Sequence, residues 1–202
     1  MIFRRAHNLS RFLACGALEK LTLTFAKNSQ QQSGTTGILT QKLLDYRQPT
    51  KIQALGGRLT RPIMQSVHIA EGQIDRPAQE LTHYLDEIEY PVGASLFFSR
   101  RFLEQSGYLH EGYFLYYEEI DWVKRSLNKT TTLGYSLESL VYHKEGASTG
   151  KTEQTSTLSL AYAIRNRPYY ALRNEILYVP LTLTYTALVL IKHLFKGNIS
   201  LF

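Results

Sequence analysis

The order of apolar and polar positions along the chain predicts helices alternating with short strands. Residues 4–28 carry Leu18, Leu21 and Phe25 at three- and four-residue steps, which predicts a helix. Residues 28–37 are polar and include Gly34, as a loop requires. Residues 37–40 and 52–55 read as strands, with Gly56-Gly57 as a turn or bulge. Residues 75–89 are charged without a clear period and predict a surface loop. Residues 90–98 form an apolar run suited to a buried strand. A short helix is expected over 100–105, stopped by Gly107. A second begins near Glu118, where Ile120, Val123 and Leu127 share one face. Two short strands follow, over 133–137 and 140–142. This alternation defines an α/β layer structure.

The C-terminal part is patterned differently. Residues 157–167 are helical in period, and Pro168 is expected to break or kink that helix. Residues 176–191 hold no charged side chain, but sixteen residues fall short of the roughly 20 that a spanning helix needs. Arg173, Lys192, His193 and Lys196 flank the run and suit lipid headgroups. An interfacial or re-entrant helix and a helix buried against the domain are equally compatible with this pattern.

Composition narrows the function classes. The chain has 202 residues, 44% hydrophobic and 20% charged, which is a folding composition. The net charge of +6 attracts phosphates, whether on nucleic acid, anionic lipid or a nucleotide diphosphate. The cations are scattered and no nucleic-acid motif is present, so nucleic acid ranks last. Cys15 is the single cysteine, which excludes an internal disulfide and a cysteine zinc cluster and fits a reducing compartment. The basic start is followed by an apolar stretch broken by Arg11, Gly16 and Glu19, a poor signal peptide.

Candidate chemistry concentrates in three places: Gly93-Ala94-Ser95, residues 114–122 with Glu118, Glu119, Asp121 and Trp122, and Tyr142-His143 before the Gly146-Ala147-Ser148-Thr149 loop. Glu119 falls at the border of the apolar helical stripe, where partial desolvation would give a carboxylate a usable pKa as a general base. Glu118 and Asp121 share a face and can orient their surroundings. The same acids also suit the positive end of a helix dipole without any catalysis. His143 alone needs no metal.

Taken together, these blocks resemble the family 2 glycosyltransferases of the GT-A type, especially rhamnosyltransferase-like members. That pattern has a Gly-Ala-(Ser/Cys) stretch, then Phe-x-Tyr-Tyr-Glu-(Asp/Glu)-x-Asp-(Trp/Leu), then Tyr-His-x-x-Gly. Residues 42–46 and 52–58 resemble the family's middle segment, and Arg165-Asn166-Arg167-Pro168-Tyr169-Tyr170 its C-terminal helix. The likeness runs from about Ala17 to the end. It implies an inverting transfer of a hexosyl or deoxyhexosyl group from a nucleoside-diphosphate sugar to a glycan or glycolipid acceptor, in cell-surface polysaccharide synthesis. By the same resemblance Glu119 is the base, where Asp is commoner, with Glu118 and Asp121 in catalytic support. Gly93, Ala94 and Trp122 would meet the acceptor, His143 a metal or the diphosphate, and Arg165 and Arg167 phosphate. A divalent Mn²⁺ or Mg²⁺ is implied as cofactor.

The family's nucleotide-binding unit and its Asp-x-Asp motif have no counterpart in the chain. The expectation is therefore a partial GT-A fold with C-terminal helices: residues 1–16 unassigned, 17–152 the acceptor half, and 153–202 a helical segment that could touch a membrane. A separate donor-binding half is the implied partner, and the inner face of the plasma membrane, on the cytoplasmic side, the implied location. The alternative is an inactive remnant or a non-enzymatic docking module.

Overall fold

A computed structural model describes residues 35–127, 131–144 and 157–195. The helix expected over 4–28, most of the polar stretch after it and the loop from Gly146 to Thr149 lie outside these residues.

Strand β1 (Thr35–Asp45) is the axis of the fold. Its run of Ile38, Leu39, Leu43 and Leu44 is apolar on both faces, and all four are buried, as a central strand demands. On one side β1 pairs in parallel with β6 (Thr131–His143). On the other it pairs antiparallel with β2 (Ile52–Ala54) near one end and with β5 (Phe97–Phe98) near the other. The sheet is therefore mixed. A separate hairpin joins β3 (Gly57–Thr60) to β4 (Gln65–His68). The helices are α1 (Arg100–Ser106), α2 (Glu118–Leu127), α3 (Thr157–Asn174) and α4 (Val179–Phe195).

Helix α1 starts and stops where its end residues dictate. Ser99 Oγ accepts from the Phe102 amide at 3.0 Å, and Gly107 closes the other end at φ 70°, in the region glycine favours. Its Phe102 packs edge-on against Trp122 of α2, with centroids 4.8 Å apart. Together with Ile38, Tyr113, Tyr117 and Tyr170 they form the main core, between the sheet and α1 to α3. A second core under the other part of the sheet gathers Leu44, Ile52, Leu55, Ile69, Leu81 and Ile88.

Four expectations are corrected. Only Phe97 and Phe98 of the 90–98 run pair as a strand with β1. Pro91 lacks an amide proton, and the chain turns at once, with the Ser95 amide bonded to Val92 O at 3.0 Å. The two strands expected over 133–142 are one strand, β6, whose register against β1 jumps between Ser136 and Leu140. The bulge interrupts the apolar alternation, and Ser136 and Ser139 close it with a 2.7 Å hydroxyl contact. The charged stretch after Asp75 is not simple loop: Ala78–Glu87 is a 3-10 helix anchored by buried Leu81. Finally, Pro168 does not break α3. A proline inside a helix costs about 3 kcal/mol, but Ile164 before it and Tyr170 and Ala171 after it are all buried, and their packing outweighs that cost.

The last helix is largely exposed among the described residues. Among the described residues, Ile176–His193 is long and apolar enough to cross a membrane, with mean hydropathy 1.4, and only 11% of it is buried. It is not a helix sunk into the domain.

The sheet contains one buried cation. Lys42 on β1 is buried, and its Nζ lies 2.6 Å from Asp75 Oδ1 and 3.0 Å from Arg76 O. Removing one partner of such a pair leaves a charge stranded in low dielectric. Asp75→Ala should therefore destabilise the fold by about 2–3 kcal/mol, read as a lowered urea midpoint with an unchanged slope. An unmoved midpoint would show that Lys42 finds water instead.

Candidate active site

The segment from Tyr113 to Tyr117 delivers the acidic cluster. Phe114, Tyr116 and Tyr117 all adopt left-handed backbone, with φ of 61°, 66° and 71°. Non-glycine residues there cost of order 1–3 kcal/mol each, so the surroundings must over-determine the turn. Buried Asn166 of α3 does so: the two protons of its Nδ2 are shared among Tyr113 O (2.8 Å), Leu115 O (2.7 Å) and Tyr116 O (3.0 Å). Tyr117 adds a 2.6 Å bond from its hydroxyl to Met64 O. The turn thus enters α2 in a fixed direction, and the first-turn acids point inward.

Glu119 is 9% exposed. Its Oε1 accepts from the Gly93 amide at 3.3 Å, while Oε2 is buried without a hydrogen-bond partner. Burial first, and then the charge of Glu118, push its carboxyl up to about 8. Glu118 is also raised by burial, and its Oε2 likewise lacks a partner. Gly93 is exposed, at the tip of the turn that follows Pro91. A Cβ added there would stand 3.3 Å from Glu119 Oε1, so a larger residue would crowd the carboxylate. Neighbouring Tyr90 is raised by its burial and next by the Glu119 charge, so it stays a neutral phenol.

Asp121 behaves oppositely. It is fully buried, which alone would raise it. Hydrogen bonds from Asn174 Nδ2 (2.9 Å) and Arg125 Nε (2.8 Å), with the charges of Arg125 and Arg173, outweigh burial and hold it below the ordinary range. The Tyr113 hydroxyl also donates to it at 3.2 Å. Asp121 turns toward α3 and fastens α2 to it.

The remaining predicted site residues separate into near and far groups. Val92 and Ala94, on either side of Gly93, pack on Leu43, Ala54 and Val141. Beside that cluster, His143 Nδ1 donates to Gln53 Oε1 at 3.0 Å. One end of the sheet therefore carries both the Gly93 turn and His143. Trp122 lies in the core, with its indole N–H bonded to Gly107 O at 2.8 Å, so its surface is used in packing. Arg165 bonds Gly112 O at 2.8 Å and lies against Tyr162 and Tyr169. Arg167 is buried under the Tyr185 ring, 4.8 Å from its centroid, with Nε and Nη1 unpartnered. Asn166, between these two arginines, is the residue that sequence reasoning missed. Its signal was a short amide on a helix face otherwise occupied by large side chains.

No group of three or more His, Cys, Asp or Glu side chains suited to a metal ion occurs among the described residues. Asp121 is already committed to cations and His143 to an amide, so a divalent ion would need ligands from elsewhere. One residue along α2 from Glu119, Ile120 joins Tyr90, Lys124, Tyr135, Tyr170 and Arg61 in lining a cleft of ≈ 520 Å³. No family model matches the chain, and no curated protein matches its sequence. The fold is a mixed α/β structure built on a mixed sheet.

Two outcomes follow from this geometry. Asn166→Leu strands buried carbonyls on a strained turn and should cost about 2–4 kcal/mol in chemical denaturation; a loss under 0.5 kcal/mol, about the level of a surface substitution, would show that the turn holds itself. A carboxyl raised on folding binds protons more tightly in the native state. Its contribution is complete below its unfolded pKa and lost as pH rises toward about 8. Glu119→Gln should therefore flatten the decline in stability between weakly acidic pH and pH 8, by at most about 1.4 kcal/mol per pH unit. Parallel curves for the two proteins would place Glu119 in solvent.

Proposed function

We propose that this chain supplies the acceptor-side catalytic base of an inverting, GT-A type family 2 glycosyltransferase. The transferred group is a hexosyl or deoxyhexosyl unit from a nucleoside-diphosphate sugar, and the acceptor is a glycan or glycolipid of a cell-surface polysaccharide. The observation that carries this reading is the Glu119 carboxylate, buried directly beneath exposed Gly93 with one oxygen committed and one unpartnered.

Inverting transfer forms a bond from an acceptor hydroxyl oxygen to the anomeric carbon as the bond to the diphosphate breaks. The hydroxyl proton must go to a base at that moment. Glu119 Oε2 is the atom left to receive it, and burial makes the ionised carboxylate a stronger base than a solvated one. Gly93 leaves room above it, and Ala94 keeps the turn small. Glu118 adds negative charge that strengthens the base. Asp121 is a positioning residue that fixes α2. The tyrosines and charged groups of the neighbouring cleft offer stacking and hydrogen-bonding surface for the acceptor's sugars. The chain has no Asp-x-Asp, so the nucleotide and any Mn²⁺ or Mg²⁺ would be held by a separate donor-binding unit. His143 and the Arg165–Arg167 pair are the groups proposed to meet the diphosphate, Arg167 only after Tyr185 moves aside.

The test uses membranes from cells that make the chain from its own locus, so that any partner is present. Labelled sugar from a panel of nucleoside-diphosphate sugars should enter glycan or lipid-extractable product. Glu119→Gln should lower that transfer by roughly 10²-fold or more with the fold intact. Transfer by the native chain should climb with pH and level off near 8, because the base must be ionised. Undiminished transfer by the variant would remove Glu119 from the mechanism.

A further inference from the structure

Helix α4 turns Thr182 and Thr186 toward the protein, with Val179 at its start against the main core, and most of its large apolar residues outward. Its buried residues are Thr182 and Thr186. Thr182 Oγ1 donates to Pro62 O at 3.0 Å, Thr186 Oγ1 to Thr182 O at 2.8 Å, and the Tyr185 hydroxyl reaches Gln65 Oε1 at 3.0 Å. Its outward residues include Leu181, Leu183, Leu188 and Ile191, between 46% and 60% exposed, and Phe195 at 89%. The preceding corner adds Leu177 at 87%. A surface helix of a globular protein shows the reverse arrangement. A contiguous apolar face of this kind marks an interaction surface.

The charges say what covers it. No acidic residue occurs after Glu175, while Lys192 and His193 sit in the last turn of α4. Lys192 is exposed beside the apolar face. With no acid within α4 and Lys192 and His193 in its last turn, this apolar stripe complements the boundary between acyl chains and anionic headgroups. A crossing orientation would strip away the threonine and tyrosine bonds that hold α4 to the β3–β4 hairpin. We infer that α4 is an in-plane membrane anchor, binding the surface of an anionic bilayer through its leucine face while its polar face stays on the domain. This does not depend on the transferase reading, since vesicle binding requires no sugar transfer.

The experiment is sedimentation of the full chain with phosphatidylcholine vesicles and with phosphatidylcholine–phosphatidylglycerol vesicles, followed by alkaline carbonate extraction. Binding should favour the anionic vesicles and weaken with salt. The double variant Leu183→Ser, Leu188→Ser, both outward-facing, should lower affinity roughly tenfold or more with an unchanged circular dichroism spectrum. Lys192→Gln should weaken binding to the anionic vesicles only. Carbonate should release the chain. No vesicle binding, or binding indifferent to the leucine variant, would overturn the inference. Retention through carbonate would replace the in-plane anchor with a spanning helix. A dimer in vesicle-free solution that the leucine variant dissolves, without vesicle binding, would assign the face to a second copy of the chain.

Discussion

The Asn166 amide determines the geometry of everything near Glu119. A chain that enters a helix through three left-handed aromatic residues has no local reason to do so. The turn exists because carbonyls that would otherwise be unsatisfied are collected by one buried side chain from a distant helix. That requirement also explains why α3 runs through Pro168. Asn166 must face the turn while Tyr170, Ala171 and Asn174 reach the core and Asp121 further along the same helix. A break at Pro168 would separate the clamp from the anchor.

Two carboxylates two residues apart then meet opposite environments. Asp121 receives cations and amide donors and is held ionised. Glu119 is pushed toward its neutral form by burial and then by the like charge of Glu118, against which nearby backbone amides only partly act. Burying an acid without a cation works against stability, and the guanidinium groups of Arg125 on α2 and Arg173 on α3 go to Asp121. Opposed titration of neighbouring acids is the arrangement by which proteins separate a structural carboxylate from one that exchanges protons.

Much of this was legible in the sequence where local chemistry decides. Ser99 and Gly107 mark α1, and the acidic-to-basic gradient from Glu118 to Arg125 marks α2. The buried border position of Glu119 followed from helical spacing. Illegible were features set by partners far along the chain. Pro91 and Gly93 convert an apolar run into a turn only because Glu119 and the Ala54–Val141 cluster wait beneath it. The β6 bulge is set by its register against β1, and Asn166 has meaning only beside a turn some fifty residues earlier. Trp122, beside the acids, pairs with Phe98 and Phe102, which no motif indicates.

Helix α4 and the acidic turn share one piece of backbone. Pro62 and Gln65 hold α4, and Met64 between them accepts the Tyr117 hydroxyl, two residues before Glu119. Arg167 closes the same loop from the other side, bonded to Tyr117 and lying under Tyr185 of α4. Its Nε and Nη1 are buried without hydrogen-bond partners, and the ring that covers them belongs to α4. The seat of α4 consists of these hydrogen bonds, the stacked ring and the packing of Val179 on the main core. Whatever fixes α4 from outside therefore also steadies the Pro62–Gln65 connection, and with it the turn that aims Glu119. Helix α4 and the proposed base are in this sense one mechanical unit, joined through Met64 and Tyr117.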